Sequence, residues 1–211
     1  MLESVETRMK ECVALLGDAQ TMELFSKLPK GKRLRAKLIM RIADEHPDAV
    51  LLAAIVELIH AASLLHDDVI DDAFTRRGTD SLNALYGNKK AIMLGDILYS
   101  QGFHLLTTLP APVAGTISRA VAFLSLGELQ DVELSKAFNP NRKLYETMIY
   151  NKTASLIEAS AKAAAELSGK PAKPLQLYGK NLGLAFQIVD DILDITQDSS
   201  SLGKPAMHDF K

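Results

Sequence analysis

The sequence predicts an all-α protein, and three observations lead there. Of its 211 residues 47% are hydrophobic and only 6% aromatic, with Ala, Leu and Lys prominent and little of the alternating β-branched pattern that strands need. Apolar residues recur at the three-to-four spacing of helices over long stretches. Proline and glycine breaks cut those stretches into helix-length pieces, and no Gly- or Ser-rich linker divides the chain. One large domain with a well-buried core is therefore expected.

In chain order, the first helical pattern (Val5, Met9, Val13, Leu16) runs toward a break at Pro29-Lys30-Gly31, followed at once by Lys32, Arg33 and Arg35. The pattern resumes through Leu34, Leu38 and Ile42 and stops around Pro47. From Asp48 to about Asp72 a mostly apolar segment predicts a central helix buried on most sides. Thr75-Arg76-Arg77-Gly78 after it reads as a loop. Further helices are predicted over 91–107, 112–136, 144–167 and 174–196, separated by Leu109-Pro110-Ala111-Pro112, Asn139-Pro140 and Gly169-Lys170-Pro171. Pro112 and Pro174 fall in first turns, where the missing N–H has no helical partner to lose. The tail Ser199-Ser200-Ser201-Leu202-Gly203-Lys204-Pro205 reads as a mobile loop.

Bulk properties narrow the function. A formal net charge of −2, with Lys and Arg spread along the chain, makes no electrostatic case for nucleic-acid binding. One cysteine, Cys12, precludes an intramolecular disulfide, and without a Cys/His cluster there is no thiolate zinc site. No run of apolar residues of transmembrane length and no signal peptide is recognised, so a cytoplasmic protein without a membrane span is expected.

The most informative feature is a repeated acidic pattern, Asp67-Asp68-Val69-Ile70-Asp71 and Asp190-Asp191-Ile192-Leu193-Asp194, each following strongly apolar helical sequence. Positions i and i+4 share a helix face about 6 Å apart along the axis, so Asp67 pairs with Asp71 and Asp190 with Asp194. Carboxylates on apolar helices are costly unless neutralised, and the hard cation that suits oxygen ligands and bridges to phosphates is Mg2+. Two such motifs across a cavity would hold a diphosphate through metal ions. Lys32, Arg35, Arg76, Arg77, Lys152 and Lys204 supply matching cations.

Taken together, Gly31-Lys32-Arg33-Leu34-Arg35, Leu64-Leu65-His66-Asp67-Asp68-Val69-Ile70-Asp71 with Arg76-Arg77-Gly78, Gly95-Asp96-Ile97-Leu98, Lys152-Thr153, Phe186-Gln187-Ile188-Val189-Asp190-Asp191-Ile192-Leu193-Asp194 and Gly203-Lys204-Pro205 resemble the trans-type polyprenyl diphosphate synthases. The resemblance implies the isoprenoid-synthase helical bundle around a central cavity, a homodimer, and condensation of isopentenyl diphosphate with an allylic diphosphate (dimethylallyl, geranyl or farnesyl). It implies Mg2+ held by Asp67, Asp71, Asp190 and Asp194. The allylic diphosphate falls to Arg76, Lys152, Thr153, Gln187 and Lys204, with Thr153 and Gln187 as neutral dipoles near the carbocation. A metal-free site for isopentenyl diphosphate falls to Lys32, Arg35, His60 and Arg77. The released diphosphate is the expected base. Product length should depend on the fourth and fifth residues before the first aspartate, here the small Ser63 and Ala62, which favours a product longer than farnesyl; Ala62→Phe should shorten it.

Two departures stand out: Lys30 replaces the family's first glycine and Ala36 its proline. Family members commonly continue for several helices past the Gly-Lys-Pro segment, so residues 1–211 are expected to form one domain lacking those helices, with apolar surface left for a dimer or partner to cover. Glu128 and Asp131 either line the cavity or belong to a solvated face, and Asp68, Asp72 and Asp191 either support the ligands or cap helices. Met40, Met93 and Met148 read as core filler. A terpene cyclase of the same fold would not need the Lys32, Arg35, His60 and Arg77 group, and a non-catalytic subunit of a heteromeric synthase would tend to lose acidic-motif residues. Glu57-Leu58-Ile59-His60 matches half of a di-iron motif, which needs two copies.

Overall fold

The computed structural model describes residues 1–196. Helices α1 (Leu2–Ala14), α2 (Ala19–Ser26), α3 (Leu34–Ala43) and α4 (Ala49–Ile70) lead into a small ribbon of β1 (Thr75–Arg76) and β2 (Thr79–Asp80). Helices α5 (Leu82–Tyr86), α6 (Asn88–Leu106), α7 (Ala111–Leu134) and α8 (Arg142–Ile149) follow, then a π-helical turn (Tyr150–Ala154), α9 (Ser155–Leu167) and α10 (Ala172–Thr196).

Helix α4 is central, as its composition predicts. Residues Leu52 through Ile59 are all buried, so its upper half has no polar face, and Glu57 is the one charged side chain in that run. It packs against α1, α3 and α6, while α9 packs against α3, α7 and α10. Burying Leu52, Ile55, Leu58 and Ile59 contributes roughly 1.5–3 kcal/mol each. By length and mean hydropathy (1.9), α4 is one described helix apolar enough to cross a membrane, yet 67% of that window is buried inside the bundle.

Three local features differ from expectation. The first helical stretch is split, because Gly17 takes φ +69° and the Asp18 carboxylate then accepts from the Thr21 N–H at 2.7 Å to cap α2. The segment read as a loop after α4 closes into the β1–β2 ribbon, with Arg77 (φ +54°) and Gly78 (φ +74°) both left-handed at its tip, the combination a tight primed turn requires. The stretch expected as one helix over 144–167 carries the π-helical turn, one extra residue in its hydrogen-bond ring, at Lys152-Thr153.

Glycines explain how that turn is held. A Cβ on Gly127 of α7 would sit 2.1 Å from the Lys152 amide nitrogen, and one on Gly183 of α10 would sit 2.6 Å from the Ala154 Cα. Two helices thus close on the π turn from opposite sides at backbone contact, which only glycine permits. On α10, Tyr178, Val189, Ile192 and Ile195 are more than half exposed, so a broad apolar face of this helix meets solvent.

Candidate active site

The bundle encloses an open cavity of about 1940 Å³, walled by the start of α3, the second half of α4, the ribbon, α7, the π turn and α10. The structure brings together on this wall Lys32, Arg35, His60, Ser63, Asp67, Asp71, Arg76, Arg77, Lys152, Thr153, Gln187 and Asp190. Two expected site residues do not line it. Ala62 is fully buried, as is Asp194, one turn from Asp190. Lys204 lies outside the described residues.

The acidic side is built at the C-terminus of α4. Asp71 is the exposed cap residue, and Asp67 stands one turn deeper, half-buried. Burial pushes the Asp67 carboxyl well above the ordinary range, the Glu128 carboxylate across the cavity adds to this, and Lys152 and Arg76 oppose it. Asp68 is only 4% exposed. Arg76 meets it with Nε and Nη2 both 2.6 Å from Oδ1. Burial still raises the Asp68 carboxyl against Arg76. Arg76, expected on the diphosphate, is therefore held by a carboxylate. Among the described residues, Asp67, Asp71 and Asp190 make no ion pair, and no three carboxylates or imidazoles are gathered closely enough to enclose a cation by themselves. That donor set suits a cation that takes one or two carboxylates and completes its shell with water and phosphate oxygens.

The basic side has the opposite character. Arg35 is 8% exposed and its Nε has no partner, and His60 Nδ1 is likewise buried without one. Burial lowers the Arg35 pKa despite Glu57, and burial followed by repulsion from Arg35, Arg77, Arg76 and Arg33 drives the His60 imidazole well below its usual value. Burial and the neighbouring Arg76 and Arg33 also lower Arg77. With Lys32 and Arg77 on the same cavity wall, this cluster of cations around a neutral imidazole marks a place for an anion. Gly31 makes room for this cluster, since a Cβ there would meet Arg77 Nη1 at 2.9 Å.

Between the two sides, the π turn projects Lys152 onto Glu128 (3.1 Å) and onto Asp131 in a short ion pair. Burial works against the ammonium, but Asp131 and then Glu128 outweigh it and hold the Lys152 pKa above its ordinary value. The next residue, Thr153, donates to Gln187 Oε1 at 2.6 Å, and Gln187 Nε2 donates to Asp191 Oδ1 at 2.7 Å. Tyr145 donates to the other Asp191 oxygen. The Gln187 amide is thus fixed with its oxygen toward Thr153 and its nitrogen toward Asp191. Burial and Asp191 together raise the Tyr145 hydroxyl pKa.

Residue patterns alone left Glu128 and Asp131 open between cavity and solvent; both line the cavity and both hold Lys152. Asp191 supports Gln187 rather than capping a helix. Tyr145 and Glu6 on the cavity wall escaped the reading altogether, and Glu57 entered it only as half of a di-iron spacing. Only the Glu57-His60 spacing offered a signal, because residues three apart share a helix face.

The sequence pattern of the polyprenyl synthetase family matches residues 19–211. The chain is 46% identical to solanesyl diphosphate synthase 3 of Arabidopsis thaliana over 164 residues, covering 76% of this chain and 39% of that protein. Across the curated relatives it matches, the chain spans between 38% and 56% of their length. The crystal structure of octaprenyl pyrophosphate synthase from Helicobacter pylori superposes with a TM-score of 0.91 at 44% identity, over 97% of this chain and 69% of that one. Polyprenyl synthase from Caulobacter crescentus CB15, complexed with calcium and isoprenyl diphosphate, superposes with a TM-score of 0.92 at 32% identity, over 99% and 66%. With the fold, the paired acidic and basic walls and these similarities in agreement, the chain belongs to the polyprenyl synthetase family.

Proposed function

We propose that the chain condenses isopentenyl diphosphate with an allylic diphosphate to make a trans-polyprenyl diphosphate longer than farnesyl. The observation that carries this reading is the pairing, in one cavity, of a carboxylate wall (Asp67, Asp71, Asp190) with a cationic wall of Lys32, Arg35 and Arg77 beside His60. Two diphosphates need two such walls. A cyclase, which binds one, has no use for the second.

In this reading Asp67, Asp71 and Asp190 hold Mg2+, which supplies charge stabilisation to the departing diphosphate. Lys152, held charged by Asp131 and Glu128, adds a fixed positive charge beside it. The allylic C–O bond breaks, the isopentenyl double bond forms the new C–C bond to the allylic cation, and a proton leaves the isopentenyl unit to the released diphosphate. The Gln187 amide, locked by Thr153 and Asp191, presents a preoriented dipole to the cation, with no reorganisation needed during reaction. Lys32, Arg35, His60 and Arg77 hold the isopentenyl diphosphate, Arg as a two-point fork and Lys as a point charge. The names of the solanesyl and octaprenyl relatives support a long product. A homodimer and a cytoplasmic location belong to the same proposal, measured by sedimentation and by fractionation.

The test is mass spectrometry of products from purified chain, Mg2+, isopentenyl diphosphate and farnesyl diphosphate. A ladder of longer prenyl diphosphates is expected, abolished by EDTA and reduced about 10²–10³-fold in Asp67→Ala, the scale of losing one transition-state stabiliser. A folded chain that binds both substrates and yields no elongated product refutes the proposal.

A further inference from the structure

We propose that Glu6 of α1, with Glu57 of α4, is a positioning residue for the isopentenyl diphosphate site, acting through Arg33. The inference rests on the reading of that site given above. Arg33 is the residue before α3 and sits at φ +52°, ψ +44°, the left-handed region that residues other than glycine seldom adopt. Its side chain, 14% exposed, turns back between α1 and α4. Arg33 Nε lies 2.5 Å from Glu6 Oε1 and Nη2 3.2 Å from Glu6 Oε2, a two-point fork, while Nη1 lies 3.3 Å from Glu57 Oε2.

The other Glu57 oxygen accepts from the Ala36 N–H at 3.0 Å. Arg33 supplies no side-chain cap of its own to α3, so Glu57 serves as the cap from a neighbouring helix, the role an Asp or Ser before the first turn usually plays. Lys32 and Arg35 flank Arg33 on either side in sequence, and both face the cavity. Fixing Arg33 and the Ala36 amide therefore fixes the backbone that aims those two cations. Glu57 also lies three residues before His60 on α4, so one carboxylate borders the whole cluster and offsets its mutual repulsion. Glu6 precedes the segment that matches the family pattern, so nothing in that match assigns it a role.

The experiment is calorimetric titration of the wild-type chain, Glu6→Gln and Glu57→Gln with isopentenyl diphosphate in the absence of Mg2+, beside steady-state kinetics with both substrates varied and a thermal melt. Glu6 is 27% exposed and its amide variant should fold. The expected result is isopentenyl diphosphate affinity weakened about tenfold, in keeping with the cost of sub-ångström misplacement of binding groups, with KM for the allylic substrate and kcat within about twofold. Glu6→Gln binding isopentenyl diphosphate as tightly as wild type overturns the positioning role while leaving the site intact. Equal loss for both substrates in step with a lowered melting temperature overturns it as merely structural. A wild-type chain that binds no isopentenyl diphosphate removes the underlying reading, and the inference with it.

Discussion

At the residue scale, His60 carries the clearest consequence of placing a titratable group among cations. Its imidazole is held neutral by burial and by Arg35, Arg77, Arg76 and Arg33. Because its folded pKa is depressed, the unfolded chain takes up more protons below about pH 6.5, and the ligand-free protein should lose stability as pH falls through that value. A bound diphosphate reverses the field and favours the imidazolium, so binding takes up a proton and isopentenyl diphosphate affinity should rise as pH is lowered from 8 to 6. Isothermal titration in two buffers of different ionisation enthalpy reads this proton directly. His60→Gln should abolish the uptake; uptake that persists in the variant assigns the proton elsewhere. The identity of these residues was legible in the motif, but their charge states were not, because they depend on neighbours from α3 and the ribbon that approach His60 only in the folded chain.

At the element scale, the π turn is the unit that matters, and two glycines of α7 separate its effect from general helix stability. Gly127→Ala would drive a methyl into the Lys152 amide, whereas a Cβ on Gly115 meets nothing within 4 Å. The first substitution should cost roughly 1–3 kcal/mol of overpacking and lower kcat/KM about 10²-fold by displacing Lys152. The second should stabilise by roughly 0.5–1 kcal/mol, the usual difference between Gly and Ala inside a helix, with activity unchanged. Thermal melts and product assays on the pair check both; a Gly127→Ala enzyme of normal activity would show that the close approach does not position Lys152. Helix α8, the turn and α9 read as one continuous helix in the sequence, since a single-residue insertion into the hydrogen-bond ring leaves the apolar periodicity almost unaltered. The ribbon escaped for a related reason: two-residue strands are too short to show alternation.

At the scale of the whole molecule, the proposed product length depends on the shape of the cavity. Ser63 lines it and the fully buried Ala62 does not, so substitutions at these two neighbouring positions should part company. Ser63→Phe should fill the cavity below Asp67 and shift the product ladder toward shorter chains in a mass-spectrometric assay. Ala62→Phe should overpack the core by roughly 1–3 kcal/mol and lower the melting temperature; shortening by Ala62→Phe in a protein of unchanged stability would reverse this assignment. The sequence by itself determined the helical class, the order of most elements and the chemistry of the two acidic motifs and the Lys-Arg segments, because these rest on local periodicity, breaks and residue type. Only the tertiary structure decided that Ala62 is buried off the cavity wall, that Asp68 pairs with Arg76, that Glu128 and Asp131 hold Lys152, and that Glu6 reaches Arg33 across 27 positions. Each of those depends on which side of a helix its neighbours cover, and helix–helix contact between distant segments is not written in any local pattern.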